Sequence, residues 1–412
     1  MSVLIKKVTI LDPTSPFHEK KVDVLYHNGS IQQIAKNITT TSKHIIAEPN
    51  AYLSNAWVDI MADYCDPGYE YKETINTGLK AAVNGGFAHV FVVPNTAPII
   101  SNKTLVEYVL NQIPSKNSKV YVLGAVTKNC EGKELAEMMD MHHAGAIAFT
   151  DGWKPIQNPQ VLLKALEYVK AFNGIIVQLP INEALSKGGL MNEGINSVQW
   201  GMPGIPNMAE HLQVQRDLEI LKYTKSRLHI SGITTQESVQ LIKAAKKEGL
   251  QVTCSVTPYH LLYTDDALST YNSNYKVAPP LRSEKDRKAL IKALSDGTID
   301  CIATHHRPHE WDAKAKEFEY TETGMMVQET TWAMLQKAAP MVEMTTWISL
   351  LVTNPKKIFG LSQTSITEGA NIPITLIAPE KTFSFTNKTK ASKGINSPLL
   401  NQTLTGQAFC IL

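Results

Sequence analysis

Short apolar runs rich in valine and isoleucine recur through the middle of the chain, and a stretch with helical periodicity follows most of them. Such runs indicate strands buried on both faces, as in a parallel sheet. The strands are predicted at residues 57–61, 89–94, 119–126, 146–150, 175–179, 227–230, 252–256 and 299–303, and helices at 73–83, 159–171, 208–223, 235–248 and 284–294. Eight strand–helix units predict a (β/α)8 barrel. An open doubly wound sheet is the alternative, although no G-x-G-x-x-G motif follows an early strand.

Both ends of the chain have a different pattern. Residues 2–50 and the tail from 365 onward contain short extended runs without helical periodicity, and Asn28-Gly29 between two such runs is a hairpin signal. Neither end alone buries much apolar surface. We therefore expect residues 1–52 and 365–412 to pair into one small β-sandwich beside a barrel domain of residues 53–364.

Composition excludes several classes of partner. The 412 residues are 43% hydrophobic and carry a net charge of +2, which gives no reason to expect binding to nucleic acid or to an anionic membrane. No apolar run reaches the roughly 20 residues that a membrane span needs. The five cysteines form no C-x-x-C pair, which favours a reducing, cytoplasmic setting. We expect a soluble protein that forms a homo-oligomer.

In a barrel of this type, chemistry is located at the carboxyl ends of the strands. Polar and sulfur-bearing residues follow several of the predicted strands. These ends include Met61-Ala-Asp63-Tyr-Cys65, Pro94-Asn95-Thr96, Thr150-Asp151, Gln178-Leu179, His229-Ile-Ser-Gly232, Thr257-Pro-Tyr-His260 and Thr304-His305-His306-Arg307-Pro-His309.

Six long segments resemble the dihydroorotases, in particular their zinc-dependent bacterial type. They are DPGYEYKETINTGLKAAVNGGFAHVFVVPNTAP (66–98), GGLMNEGINS (188–197), GIPNMAE (204–210), YKVAPPLR (275–282), DGTIDCIATHHRPH (296–309) and TNPKKIFGL (353–361). The resemblance covers the whole chain. It implies a (β/α)8 barrel of the metal-dependent hydrolase type with a β-sandwich from both termini, and a bound zinc ion that activates water for opening a cyclic amide.

Most of the metal-binding residues that the resemblance implies are missing, and the sequence leaves open whether Asp151 is the acidic ligand of the family. The four histidines of the family fall, in chain order, on Met61, Asp63, Leu179 and Gly232, and its catalytic aspartate falls on His305. Leucine and glycine offer no donor to a metal, and a methionine thioether is a poor partner for zinc. Metal affinity depends on the number and geometry of ligands. We therefore predict that this chain binds no zinc.

Some site positions of the family are kept. Asn95 and His309 match positions that contact substrate in the family, and Asp151 matches one of its two acidic residues after the fourth strand. The arginine that would hold the substrate carboxylate has become Cys65, and an asparagine before the paired prolines has become Ala278.

Together these changes predict a catalytically inactive relative with a structural or regulatory role in pyrimidine biosynthesis. The family includes inactive members that pair with aspartate carbamoyltransferase, so the resemblance implies that enzyme as a partner. Two alternatives remain open: an active cyclic-amide hydrolase that uses a rebuilt site, and a barrel that binds a pyrimidine-like ligand through Asn95 and His309.

Three hypotheses concern the altered site itself. Because the first and last strands of a barrel are neighbours, Asp63 and His305 are expected to pair, helped by Arg307. Cys65 beside a histidine is a candidate nucleophile. A relocated metal site would draw three or four ligands from one rim, namely from His229, His260, His305, His306, His309, Asp63, Asp151 and Cys65.

Overall fold

The structure is a computed structural model that describes residues 2–40, 42, 44–113 and 118–412. Its strands, in chain order, are β1 (Ser2–Ile10), β2 (Lys21–His27), β3 (Ser30–Ala35), β4 (His44–Ile46), β5 (Tyr52–Asn55), β6 (Trp57–Ala62), β7 (Phe87–Val92), β8 (Lys119–Gly124), β9 (Ala146–Phe149), β10 (Ile176–Gln178), β11 (Met191–Asn192), β12 (Gly204–Ile205), β13 (Leu228–Ile230), β14 (Val252–Val256), β15 (Cys301–Ile302), β16 (Ile374–Phe385) and β17 (Gln402–Ile411).

The α-helices lie mostly between the strands of the central sheet. They are α1 (Ile75–Asn84), α2 (Lys103–Asn111), α3 (Met138–His143), α4 (Pro159–Val169), α5 (Glu183–Ser186), α6 (Ile195–Gln199), α7 (Met208–Thr224), α8 (Gln236–Lys247), α9 (Pro258–Leu262), α10 (Glu284–Ser295), α11 (Trp311–Lys314), α12 (Thr331–Ala338), α13 (Met344–Ile348) and α14 (Asn354–Ile358). None of the described helices is both long and apolar enough to cross a membrane.

Eight parallel strands form the centre of the molecule, in the order β15-β14-β13-β10-β9-β8-β7-β6. The sheet closes on itself because Ala62 bridges His306 in parallel and the Asp63 N–H donates to the His306 carbonyl at 2.8 Å. The predicted (β/α)8 barrel is therefore confirmed, with each of the eight predicted strands in place. The last strand is shorter than predicted and comprises only Cys301–Ile302.

A buried carboxylate fastens the barrel seam. Asp59, in β6, is fully buried and accepts hydrogen bonds from the Thr304 N–H at 3.0 Å and from the Gln328 Nε2 at 2.7 Å. Thr304 follows β15, so one side chain joins the first strand of the barrel to the segment after the last. A buried carboxylate with several donors is stable because its hydrogen bonds replace water.

Both termini contribute to a second sheet. Strands β16 and β17 pair with each other, β16 pairs with β5, and β5 leads through β1 and β2 to β3, with β4 beside β1. Apolar residues of β1, β2 and β3 pack with Ile374 and Leu376 of β16 in a core of their own. The predicted β-structure from both chain ends is confirmed, while the boundaries at residues 52 and 365 stay predictions.

Helix α1 begins two residues later than predicted. Thr74 has extended backbone angles, with φ −127° and ψ 161°, and its side chain accepts a hydrogen bond from the Thr77 N–H. This is a capping box, in which the Thr77 side chain in turn accepts from the Thr74 backbone N–H. Glu73 therefore lies outside the helix, and its carboxylate is available to the neighbouring barrel segment.

Candidate functional site

The barrel mouth, defined here by the carboxyl ends of β6, β9 and β15, holds the indole ring of Trp153. The Trp153 Nε1 donates to the Asp63 Oδ2 at 2.8 Å. The ring of His305 meets the indole edge to face, with centroids 5.5 Å apart. The guanidinium carbon of Arg307 lies 5.0 Å from the indole centroid. Side chains from the first and last strand ends thus converge on one aromatic ring.

Asp63 does not pair with His305, so that hypothesis is wrong. Its Oδ1 accepts from the Cys65 N–H at 3.0 Å and from the Cys65 thiol at 3.3 Å, and its Oδ2 accepts from Trp153. The expected positive partner is replaced by neutral N–H and S–H donors. These donors satisfy both oxygens of a carboxylate that is only 6% exposed.

His305 turns toward the barrel interior instead. Its Nε2 is hydrogen-bonded to the Ser231 Oγ at 2.8 Å, and its Nδ1 is buried without a hydrogen-bond partner among the described residues. Its backbone φ is 48°, in the left-handed region. Burial lowers the pKa of His305 to about 3, with smaller contributions from His260 and His229. The ring is therefore neutral at pH 7, unlike the aspartate that the resemblance implies at this position.

Asn95 holds the turn that carries Trp153. Its Nδ2 donates to the Asp151 carbonyl and its Oδ1 accepts from the Trp153 N–H, both at 3.0 Å. Between them Gly152 has a φ of 61°, and a Cβ there would collide with the Asn95 Oδ1. Only glycine fits this close approach. Substrate contact by Asn95 stays a prediction, and in this structure both ends of its amide bind the backbone of the chain.

The Asp151 carboxylate binds the segment after β8. Its Oδ1 accepts from the Val126 and Thr127 N–H groups, each at 2.9 Å, and its Oδ2 accepts from the Thr127 hydroxyl. Burial raises the pKa of Asp151 to about 6, more than these hydrogen bonds lower it. The side chain therefore fixes the loop after β8, and both of its carboxylate oxygens already accept hydrogen bonds.

His309 is also held within the chain. Its Nε2 is hydrogen-bonded to the Thr323 carbonyl at 3.0 Å, and its backbone N–H donates to the Asn396 Oδ1 at 2.7 Å. Burial lowers the pKa of His309 to about 3, and Arg307 contributes in the same direction. Its Nδ1 is buried without a partner in the part of the chain that the structure describes. Its predicted role in substrate binding stays a prediction.

The remaining predicted positions have no metal-binding group. Met61 packs in the apolar barrel interior with Phe91 and Leu123, and Leu179 is 2% exposed. Gly232 has a φ of 79°, and a Cβ there would lie 2.5 Å from the Cε1 of His305. The zinc ion that the resemblance implies does not fit this set of residues, because the donors are lost and the space is filled.

The relocated metal site does not form in the described part of the chain, where no three His, Cys, Asp or Glu side chains converge on a common point. Two of the five candidate imidazoles, those of His229 and His260, are hydrogen-bonded to groups of neighbouring strands and loops. His229 is hydrogen-bonded to Thr253 at 2.8 Å and to Ser255 at 3.2 Å. His260 is hydrogen-bonded to Thr257 at 2.8 Å and to the Pro279 carbonyl.

Cys65 lacks the surroundings of a nucleophile. The thiol is buried, and its nearest polar partner is the Asp63 carboxylate. Burial raises the pKa of the Cys65 thiol far above its usual value, and Asp63 raises it further. A reactive cysteine needs exposure and a positive or basic neighbour. The hypothesis of a nucleophilic Cys65 is therefore wrong for this structure.

Sequence reasoning missed Trp153 as a site residue. The family has Asp-Asp-Gly where this chain has Asp151-Gly152-Trp153, so a bulky aromatic residue directly after a strand end was visible in the sequence. The same reasoning also missed Glu73, whose carboxylate faces the ring of His306.

Comparisons with known proteins agree with the geometry of the fold. A family model described as Dihydro-orotase-like matches residues 53–238. A dihydroorotase of Syntrophus aciditrophicus (strain SB) is 37% identical over 417 residues, covering 100% of this chain and 98% of that protein. A dihydroorotase of Trichlorobacter lovleyi is 34% identical, covering 100% of this chain and 97% of that protein.

Among solved structures, an L-hydantoinase (dihydropyrimidinase) from Arthrobacter aurescens is similar with a TM-score of 0.83, covering 98% of this chain and 93% of that one. Its sequence identity is 20%, so this likeness shows the fold alone. The identity to the two dihydroorotases is 37% and 34% over the full length of the chain, and this chain therefore belongs to the dihydroorotase family.

Proposed function

We propose that this chain is a non-catalytic member of the dihydroorotase family that serves pyrimidine biosynthesis in a structural or regulatory role. One observation supports the proposal above all: the indole of Trp153 fills the barrel mouth between Asp63, His305 and Arg307. In a (β/α)8 barrel the mouth is where substrate would be bound and converted.

The chemistry of the reaction supports the same proposal. Opening a cyclic amide at neutral pH requires an activated water and a general base placed beside the carbonyl carbon. His305 stands at the position of the family's catalytic aspartate, and its lowered pKa of about 3 makes it a weak base. Asp151, the retained acid, has its oxygens engaged by Val126 and Thr127.

The test is a dihydroorotate hydrolysis assay on purified protein supplied with zinc, combined with elemental analysis of the same sample. The Syntrophus aciditrophicus dihydroorotase, purified in parallel, is the matched positive control. We expect no turnover above the blank and no stoichiometric metal. Turnover accompanied by about one or more metal ions per chain would overturn the proposal and favour a rebuilt hydrolase site.

A chelator gives a second measurement that does not depend on activity. A protein whose fold includes a structural metal loses stability when the metal is removed. We expect the melting temperature of this chain to change by less than about 1 °C with a chelator or with added zinc. A drop of several degrees that zinc reverses would contradict the proposal.

For a partner we propose aspartate carbamoyltransferase, since non-catalytic relatives of this family pair with that enzyme. The two proteins of the same organism are mixed at micromolar concentrations and studied by analytical ultracentrifugation. A joint sedimenting species is expected, and its absence would remove the partner from the proposal. Thermal shifts with dihydroorotate, carbamoyl aspartate and orotate test the alternative of a ligand-binding barrel.

A further inference from the structure

We propose that the barrel mouth is a binding site for a flat aromatic ring that carries one N–H donor, and that the chain fills this site with its own Trp153. The proposal goes beyond a loss of catalysis. It assigns a ligand chemistry to the mouth and is tested without any measurement of activity.

The first part of the site is a fixed acceptor for the N–H group. The Asp63 Oδ2 accepts from the Trp153 Nε1 at 2.8 Å. The other oxygen of the same carboxylate accepts from the Cys65 N–H at 3.0 Å. This hydrogen bond fixes the orientation of the carboxylate and therefore the direction in which Oδ2 accepts. An acceptor that is oriented before the ligand arrives binds more tightly than a mobile one.

The second part of the site recognises the ring. The Arg307 guanidinium carbon lies 5.0 Å from the indole centroid, within the range of a cation–π contact. Arg307 is itself held by a hydrogen bond from its Nη1 to the Thr323 Oγ1 at 3.0 Å. The His305 ring packs against the indole at an interplanar angle of 73°, the T-shaped arrangement that aromatic pairs favour.

These contacts come from parts of the chain that are distant in sequence. Asp63 follows the first barrel strand, whereas His305 and Arg307 follow the last. Trp153 enters from the turn after β9, across the barrel from both. The indole therefore links opposite strand ends through a hydrogen bond and two ring contacts, as a bound heteroaromatic ligand would.

The turn that carries the ring is secured independently of the ring. Asn95 binds the Asp151 carbonyl and the Trp153 N–H, which are backbone groups. Truncating the Trp153 side chain leaves both hydrogen bonds available. A Trp153→Ala variant should consequently keep the walls of the site while removing the occupant, in the way that large-to-small substitutions leave cavities in other proteins.

The experiment measures the melting temperature of Trp153→Ala with indole and with benzofuran, which has the same shape but an oxygen in place of the N–H. Indole at about ten times its dissociation constant should raise the melting temperature by roughly 2 °C, and benzofuran by clearly less. The unsubstituted protein, whose site is filled, should respond to neither. Trp311→Ala, which removes a tryptophan that is 67% exposed, is the matched control and should not respond.

Two outcomes would overturn the proposal. Equal shifts with indole and benzofuran would show a merely apolar cavity without recognition of the N–H. The absence of any shift with indole in a folded Trp153→Ala protein would show that the mouth is no binding site at all.

A second measurement covers the case in which Trp153→Ala does not fold. The unsubstituted protein is labelled with 15N-tryptophan for NMR. The signal of the Trp153 indole N–H is assigned as the one that is absent from the spectrum of Trp153→Phe. Because this proton is bound to a buried carboxylate, its exchange with solvent should be about tenfold or more slower than that of the exposed Trp311. Equal exchange rates for Trp153 and Trp311 would contradict the proposed recognition of the N–H by Asp63.

Discussion

The Nε2 of His306 faces the Oε2 of Glu73 across 3.7 Å, and both side chains are fully buried. The Nδ1 of His306 accepts from the backbone N–H groups of Val327 and Gln328 at 3.1 and 3.3 Å, so this nitrogen carries no proton. The ring proton therefore lies on Nε2 and points at the carboxylate. The pair joins the segment after the last barrel strand to the residue before the capped start of α1.

Substitution of Glu73 by Gln should destabilise the protein. Burial alone would raise the pKa of Glu73, but the facing ring of His306 and hydrogen bonds from Ser392 and Thr77 hold it below its usual value. The amide keeps the shape but replaces an acceptor oxygen by a donor. We expect a loss of about 1–3 kcal/mol in the free energy of unfolding at pH 7, measured by urea denaturation.

The pH dependence of this loss has a definite sign. Since the pKa of Glu73 is lower in the folded than in the unfolded protein, its contribution is present above pH 4.5 and is lost as the pH falls through the folded value. The difference between Glu73→Gln and the unsubstituted protein should shrink below pH 4.5. A difference that is constant from pH 7 to pH 3.5 would contradict the assigned interaction.

Substitution of Asp151 by Asn should have the opposite effect. The pKa of Asp151 is raised to about 6 by burial, so between about pH 4 and 6 the folded protein retains a proton that the unfolded chain has lost. Stability therefore decreases as the pH rises through this window. The amide introduced by Asp151→Asn would keep an acceptor for the Val126 and Thr127 N–H groups without a buried charge.

We expect Asp151→Asn to be more stable than the unsubstituted protein by about 1 kcal/mol at pH 8 and to lose this advantage at pH 4. Urea denaturation at the two pH values measures the change. Asp151→Ala, which removes the acceptor as well, is the control and should be less stable at both. Destabilisation by Asp151→Asn at pH 8 would show that the charged carboxylate is required.

Substitution of Asn95 by Leu should loosen the turn that carries Trp153. The change removes the hydrogen bonds to the Asp151 carbonyl and from the Trp153 N–H and leaves these groups without their partners. A loss of about 1–3 kcal/mol in unfolding free energy is expected. Asn95→Asp retains the acceptor for the Trp153 N–H only, so its loss should be intermediate. Equal stability of all three proteins would exclude a structural role for Asn95.

The thiol of Cys65 should be inert. All five cysteines of the chain are buried and free, and burial together with Asp63 raises the pKa of Cys65. In the folded protein at pH 8, an aromatic disulfide reagent should label no cysteine until the protein unfolds. Rapid labelling of one thiol in the folded protein, absent in Cys65→Ser, would instead support a nucleophilic Cys65.

The barrel was predictable because its signal is local. Apolar runs such as residues 119–126 indicate a strand wherever it pairs, and helical periodicity between such runs indicates a helix. Thr74 shows the limit of this reasoning. A threonine can either cap a helix or lie inside one. The observed φ of −127° shows that Thr74 is the cap.

The interior of the site was predicted less well, because side-chain directions depend on distant packing. Asp63 and His305 lie at neighbouring strand ends, yet the left-handed backbone of His305 turns its ring toward Ser231. Trp153 enters the mouth because Gly152 reverses the chain with a φ of 61°. Neither backbone angle follows from residue type alone. The sequence therefore identified the residues at the strand ends correctly but predicted a contact between Asp63 and His305 that does not form.

The close contact between Gly232 and His305 has a consequence for any redesign of the barrel mouth. Any side chain introduced at position 232 would begin 2.5 Å from the Cε1 of His305, so a histidine fits there only if the His305 ring moves. Removing His305 takes away one of the two side-chain hydrogen bonds of Ser231, the other being to Ser255, and still supplies no ligand. Positions 232 and 305 are therefore coupled, and a metal ligand could be introduced at position 232 only together with a change at His305.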